Sequence, residues 1–123
     1  MSYKEKGNPL RDKSYAFALS MVKRCILLQR EEKEYVLSKQ LLRSATSIGA
    51  NIEEAIGGQS GKDFLHKISI SYKEAREAHY WIRLLMDADL LGEEEANEYL
   101  DNVEELLRIM TSIQKTMKLK LNT

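Results

Sequence analysis

The sequence predicts an all-α protein that folds as a single antiparallel, up-down-up-down four-helix bundle over residues 1–123. Three observations predict it. The 123-residue chain has only one Pro and six Gly, charged residues make up 31% of it, and apolar residues recur every three or four positions in four long segments. A chain poor in helix breakers and rich in charge favours helices over sheets. A domain of this length needs no disulfide or metal to stay folded.

Sparse turn signals divide the chain into the four helices. Asp12 is a plausible N-cap for the first helix. The charged run 30–34, the Gly-rich segment 57–61 and the break 87–92 separate the others. Helices are predicted near 12–31, 35–56, 62–87 and 93–119.

Each predicted helix carries an apolar stripe that we expect to face the core. On the second, third and fourth helices the stripes run through Leu41 and Ile52, Ile68 and Ile82, and Val103 and Met110. On the first helix the stripe is Tyr15, Leu19, Val22 and Ile26.

The first and third helices also carry a second apolar face. On the first helix it lies roughly 160° from the core stripe at 100° per residue. Because contiguous exposed apolar surface usually marks an interface, we expect these faces to contact other copies of the chain or a partner groove. The alternative is a wide core that absorbs them. The residues concerned are Phe17, Met21, Leu28, Ile70, Trp81 and Leu84.

A line of polar residues runs beside the apolar stripe of the second helix. If these groups are buried they need partners, because an unpaired buried polar group costs about 1–3 kcal/mol. We interpret the line as a structural polar seam that fixes register or subunit contacts; a ligand pocket and a solvated flank are the alternatives. The seam comprises Gln40, Ser44, Ser47, Asn51 and Glu54, with Arg43, Glu74, Glu77 and Trp81 as candidate partners.

Charge is balanced overall but unevenly distributed. The 19 basic and 19 acidic residues give a formal net charge of zero, which argues against bare duplex DNA as a partner. Residues 1–43 hold ten Lys/Arg and five Asp/Glu. This excess predicts a modest RNA- or DNA-binding patch, unless the charges only solvate the outer faces. The candidates are Lys23, Arg24, Arg30, Lys33, Lys39 and Arg43.

No catalytic or metal site is predicted, and no cofactor. A di-iron bundle site needs Glu-x-x-His pairs from two helices, but His66 and His79 both fall on the third helix. Cys25 has no His nearby in sequence to activate it. We therefore expect a non-enzymatic protein that acts by binding.

The single Cys, the absence of a signal-peptide pattern and the lack of a long apolar run predict a cytoplasmic protein with no membrane segment.

The segment 41–55 resembles the signature of a bacterial four-helix-bundle family first noticed as open reading frames in 23S rRNA intervening sequences. The likeness continues through 60–64 and 74–85 and spans nearly all of residues 12–118. The family is related to the accessory variability protein of diversity-generating retroelements. Residues that match the signature are Arg43, Ser47, Asn51, Glu54, Glu74, Glu77 and Trp81.

The resemblance implies a homopentamer around a central channel, without enzymatic activity. The retroelement relatives are thought to bind nucleic acid and a reverse transcriptase. This chain departs from many relatives by having Ser44 where they have a second arginine, and it is neutral where the retroelement relatives are markedly basic.

Two functional hypotheses follow. The first is a homo-oligomeric scaffold that acts by protein interaction, with the chain itself as its main partner. The alternative is an RNA- or DNA-binding accessory protein, whose partner is a nucleic acid or a nucleic-acid enzyme.

Overall fold

The computed structural model describes residues 8–122, which form four α-helices and no β-strand. The helices are α1 (Pro9–Glu31), α2 (Val36–Ile56), α3 (Gly61–Asp87) and α4 (Glu93–Lys120). Connections of four or five residues make consecutive helices antiparallel. The predicted all-α bundle is confirmed, and the predicted helix bounds agree within three residues.

The helices pack as a ring in which each packs mainly against two others. α2 and α3 form the most extensive pair, α1 packs on α2, α3 packs on α4, and α4 returns to α1 in the lightest of the four contacts. Two ion pairs connect α1 with α4: Lys13 with Glu105 at 3.0 Å, and Arg24 with Glu95.

The start of α1 lies three residues before the predicted one. Asn8 is the N-cap, and its side-chain oxygen accepts a hydrogen bond from the Arg11 backbone N–H at 3.0 Å. Pro9 follows at the first helical position, where its missing N–H costs nothing. The prediction that Asp12 is the N-cap is therefore wrong. Asp12 is a first-turn residue, where its negative charge suits the helix dipole.

The core contains the apolar stripes predicted for α2, α3 and α4. Leu41, Ile48 and Ile52 of α2 are buried in one cluster with Ile68 and Ile82 of α3 and with Val103 and Met110 of α4. Small buried residues, among them Ala45, Ala75 and Ala78, separate the larger ones. Facing small and large side chains let the helices approach closely and fill the interior.

The face of α1 that enters the core is the opposite of the predicted one. Phe17, Met21 and Leu28 are buried, with exposed fractions of 2%, 0% and 0%. The prediction that these three form an oligomer interface is therefore wrong. They continue a buried line that begins at Leu10 and includes Cys25. This buried line extends from Leu10 to Leu28, whereas the predicted stripe extends only from Tyr15 to Ile26.

No helix within residues 8–122 is long and apolar enough to cross a lipid bilayer.

Candidate functional site

The centre of the polar seam is an ion-pair cluster between α2 and α3. Arg43 donates through Nη1 to Glu74 Oε1 at 3.4 Å and through Nη2 to Glu77 Oε2. The Trp81 indole Nε1 donates to the same Glu77 oxygen at 3.0 Å. The hydrogen bond from Trp81, together with the charge of Arg43, lowers the pKa of Glu77. Because the Arg43 side chain is half exposed, solvent screens the cluster and it adds little to stability.

The other seam residues bond within their own helix or to solvent-facing partners. Asn51 Nδ2 donates to the Ser47 carbonyl oxygen at 2.8 Å. Glu54 pairs with Lys67 at 2.7 Å. Ser44 is fully buried, and its hydroxyl donates to carbonyl oxygens one turn earlier. The partners predicted for the polar seam, Arg43, Glu74, Glu77 and Trp81, thus bond to one another and not to Asn51 or Glu54.

Because α1 buries the opposite face from the predicted one, the stripe that was predicted to enter the core lies on the surface. Tyr15, Leu19 and Ile26 are 60%, 44% and 47% exposed, and Val22 between them is half-buried. We call these four residues the α1 face. The sequence indicated two apolar faces on this helix correctly, but it assigned them to the wrong sides.

A shallow groove adjoins the α1 face where α1 meets α2. Its volume is about 240 Å³, and small residues such as Ala18, Gly49 and Ala50 line it beside Tyr15. The ion pair between Arg11 and Glu53, at 2.7 Å, lies at the same groove. Exposed apolar side chains and an apolar depression therefore lie side by side.

The second face predicted on α3 is partly exposed. Ile70 and Trp81 are half-buried, and Leu84 is 36% exposed. We call these three residues the α3 face. Trp81 packs edge-on against Tyr80, with ring centroids 5.0 Å apart and an interplanar angle of 71°.

The six basic residues predicted to bind nucleic acid do not form a uniform patch. Arg24 is paired with Glu95, and Arg43 with the two carboxylates of α3 described above. Lys33 donates to the Arg30 carbonyl oxygen at 3.1 Å. The remaining members, all three exposed, are Lys23, Arg30 and Lys39.

The end of the bundle that carries this predicted patch is also acidic. The end of α1 and the start of α2 meet there with the end of α3 and the start of α4. Segment 87–98 of that end contains six acidic residues and no basic one. The local field at this end therefore disfavours a polyanion.

A second, larger groove runs between α3 and α4. It has a volume of about 740 Å³ and opens to solvent. We call it the α3–α4 groove; its lining residues are Tyr72, Arg76, Glu77, His79, Tyr80, Arg83 and Leu107. Sequence reasoning missed its arginines, although Tyr72, Arg76, Tyr80 and Arg83 follow one another at helical spacing.

At this groove His79 links Glu104 of α4 and Arg83 of α3 in one hydrogen-bonded chain. Its Nε2 lies 2.9 Å from Glu104 Oε2, and its Nδ1 accepts from Arg83 Nε at 3.1 Å. Because Nδ1 is the acceptor, the proton of the neutral ring sits on Nε2 and is donated to Glu104. The sequence places His79 on the third helix, but it gives no means of naming these partners.

Cys25 is fully buried, and burial raises the pKa of its thiol to about 11. A thiol so protonated is a poor nucleophile. Within the described part of the chain, no group of three or more His, Cys, Asp or Glu side chains is placed to hold a metal ion.

Comparison with known proteins places these features in a family. The family described as 23S rRNA-intervening sequence protein matches residues 8–112. A crystal structure of a protein of unknown function, from the S23 ribosomal protein family of Bacteroides thetaiotaomicron VPI-5482, is 42% identical, with a TM-score of 0.85 over 86% of this chain and 98% of that chain. No curated protein matches the chain in sequence. The ring of four antiparallel helices and the match to nearly its whole length show that the chain belongs to the 23S rRNA-intervening sequence protein family.

Proposed function

We propose that the protein is a non-enzymatic homo-oligomeric scaffold that acts through protein interactions. The observation that carries this proposal is the α1 face, where Tyr15, Leu19 and Ile26 leave about half of their surface in water. Covering an aliphatic side chain completely is worth about 1.5–3 kcal/mol. A face of this kind is stabilised when another chain covers it.

The partner that we propose for the α1 face is a second copy of the chain. α1 and α3 each pack on α2 and α4, so they lie diagonally across the bundle. The α1 face and the α3 face are therefore different patches on different sides of one molecule. Contact between unlike patches is head-to-tail, and it produces a closed ring when the rotation between copies closes.

The stoichiometry that we propose is the pentamer implied by the family resemblance. In such a ring every copy uses its α1 face on one neighbour and its α3 face on the other. The apolar depression lined by Ala18, Gly49 and Ala50 lies beside the α1 face. It provides a recess for a large side chain of the neighbour, such as Leu84.

Light scattering coupled to size exclusion tests the proposal. The wild-type chain is expected to elute as an oligomer at protein concentrations on the order of tens of micromolar. The double variant Leu19→Lys/Ile26→Lys is expected to shift to monomer, because two charges cannot be buried unpaired at the contact. Both side chains are exposed within one copy, so the circular dichroism of the variant should stay helical.

Val36→Lys is the matched control, since Val36 is 72% exposed but lies outside both faces. It is expected to leave the oligomer intact. A wild-type chain that elutes as a monomer throughout this concentration range contradicts the proposal. So does a Leu19→Lys/Ile26→Lys variant that assembles like the wild type.

Binding of RNA or DNA is the second candidate function. The six basic residues singled out in the sequence do not favour it, because two of them are paired and an acidic segment shares their end of the bundle. The observation in its favour is the α3–α4 groove, which combines arginines with tyrosines.

A further inference from the structure

We propose that the α3–α4 groove is a binding surface for single-stranded nucleic acid, in which Arg76 and Arg83 contact phosphates and Tyr80 stacks on a base. The inference rests on the second candidate function and not on assembly. It names a surface that shares no residue with the basic patch predicted from the sequence.

The carboxylates at the groove already accept hydrogen bonds from other side chains. Glu77 Oε2 accepts hydrogen bonds from both Arg43 and Trp81 on the α2 side of α3. Glu104 accepts from His79 at 2.9 Å. Neither carboxylate is therefore committed to an arginine of the groove.

The two groove arginines are not used in ion pairs among the described residues. Within residues 8–122, neither Arg76 nor Arg83 forms an ion pair with a carboxylate. Arg76 donates only weakly to the Tyr72 hydroxyl, at 3.5 Å. Both arginines are exposed, so an anion can reach them.

A hydrogen bond to His79 orients Arg83. Its Nε donates to His79 Nδ1 at 3.1 Å. This bond uses the inner nitrogen of the guanidinium and leaves the N–H groups of both terminal nitrogens for a ligand. A guanidinium held at one point loses less side-chain freedom when it binds, and its planar fork suits two phosphate oxygens.

An aromatic surface lies beside these charges. Tyr80 is 49% exposed, and Trp81 supports it edge-on. The Arg83 guanidinium carbon lies over the Tyr80 ring, 5.9 Å from its centroid. A phosphate on Arg83 and a base on Tyr80 therefore belong to neighbouring parts of one ligand.

These features select a single strand over other polyanions. Stacking on an exposed tyrosine needs an unpaired base, which a duplex does not offer. An acidic peptide would engage the arginines but would have no flat group for Tyr80. The open shape of the groove suits a polymer that passes through it better than a small ligand, which needs an enclosing pocket.

Fluorescence anisotropy with labelled oligo(U) and oligo(dT) of about 12 nucleotides tests the inference, in about 50 mM salt. Arg76→Gln/Arg83→Gln is expected to weaken binding at least tenfold and to reduce the slope of log affinity against log salt by about 1.4, or about 0.7 for each phosphate that the variant no longer neutralises. Tyr80→Leu is expected to weaken single-strand binding about tenfold.

Lys23→Gln/Lys39→Gln is the matched control, because it removes the same formal charge from exposed positions outside the groove. It is expected to change the affinity by less than about threefold. All five substituted side chains are exposed, and circular dichroism of each variant verifies the fold.

Several results would overturn the inference. One is the absence of wild-type binding in about 50 mM salt. Another is an equal loss in the two double variants, which places bound nucleic acid elsewhere on the chain. A third is unchanged binding in Tyr80→Leu. A fourth is equal binding of a poly-glutamate peptide or of a mononucleotide. None of these results bears on assembly, which light scattering measures independently.

Discussion

At the scale of single residues, Glu34 starts α2 in an unusual way. The N-cap residue Tyr35 makes no side-chain hydrogen bond to the helix. The Glu34 carboxylate instead accepts from the backbone N–H groups of residues 36, 37 and 38, at 3.0, 2.9 and 2.7 Å. Burial alone would raise the pKa of Glu34, but these hydrogen bonds outweigh it and lower the pKa. One charged side chain thus satisfies three of the four unpaired amides of the helix start.

Glu34→Ala is expected to lower the free energy of unfolding by about 1 kcal/mol near neutral pH, as for the loss of a helix cap. The folded-state pKa lies below the ordinary value of 4.5, so this contribution is complete above that value. It disappears as the pH falls through the folded-state pKa. Urea unfolding of both proteins across the acidic range measures the difference. The control Glu31→Ala, at an exposed position at the end of α1, should change stability by less than about 0.5 kcal/mol.

The groove residues show what a sequence does not reveal at this scale. Arg43, Glu74 and Glu77 were predicted as partners of the polar seam, but the sequence did not indicate that they bond to one another. The bond from His79 to Glu104 depends on how far α4 is shifted along α3. No local sequence pattern encodes that shift. The sequence therefore did not indicate that Arg83, which bonds to His79, lines a groove.

At the scale of elements, the four helices were predictable and the rotation of α1 was not. Gly, Pro and charged runs interrupt the periodicity clearly, and they alone locate the helices. On α1, however, Leu19 and Met21 belong to apolar stripes of the same period. Only the neighbouring helices decide which stripe is covered, and they bury Met21 with no exposed surface while Leu19 keeps 44%.

A pair of substitutions tests this rotation. Phe17→Ala is expected to lower the free energy of unfolding by about 3–5 kcal/mol, because it removes a buried ring and leaves a cavity. Tyr15→Ala should cost less than about 1 kcal/mol, since that ring is mostly in water. Urea unfolding in the Leu19→Lys/Ile26→Lys background removes any contribution from assembly. Equal losses in the two variants would mean that α1 is rotated differently.

At the scale of the whole molecule, the ring of helices is unevenly held together. α2 and α3 share the most extensive contact, which includes a buried hydrogen bond from Ser71 Oγ to the Ile48 carbonyl oxygen at 2.8 Å. α1 and α4 share the lightest one. Local unfolding begins where contacts are fewest, so the bundle should open first at the contact between α1 and α4.

Amide hydrogen exchange is expected to reproduce this order. Central amides of α2 and α3 should exchange most slowly, at a rate set by global unfolding, and those of α1 and α4 should exchange faster. The measurement belongs in the Leu19→Lys/Ile26→Lys variant, where a neighbouring copy does not protect α1. Protection of α1 as strong as that of α2 would contradict the uneven packing.

The complete enclosure of Cys25 makes the native chain convenient for spectroscopy. A sulfur with no accessible surface and a thiol pKa of about 11 will not react with maleimide reagents at neutral pH. Fluorophores or spin labels can therefore be attached through a single new cysteine at the surface while the native one stays in place. Distances between labels on separate copies then become measurable without altering the interior.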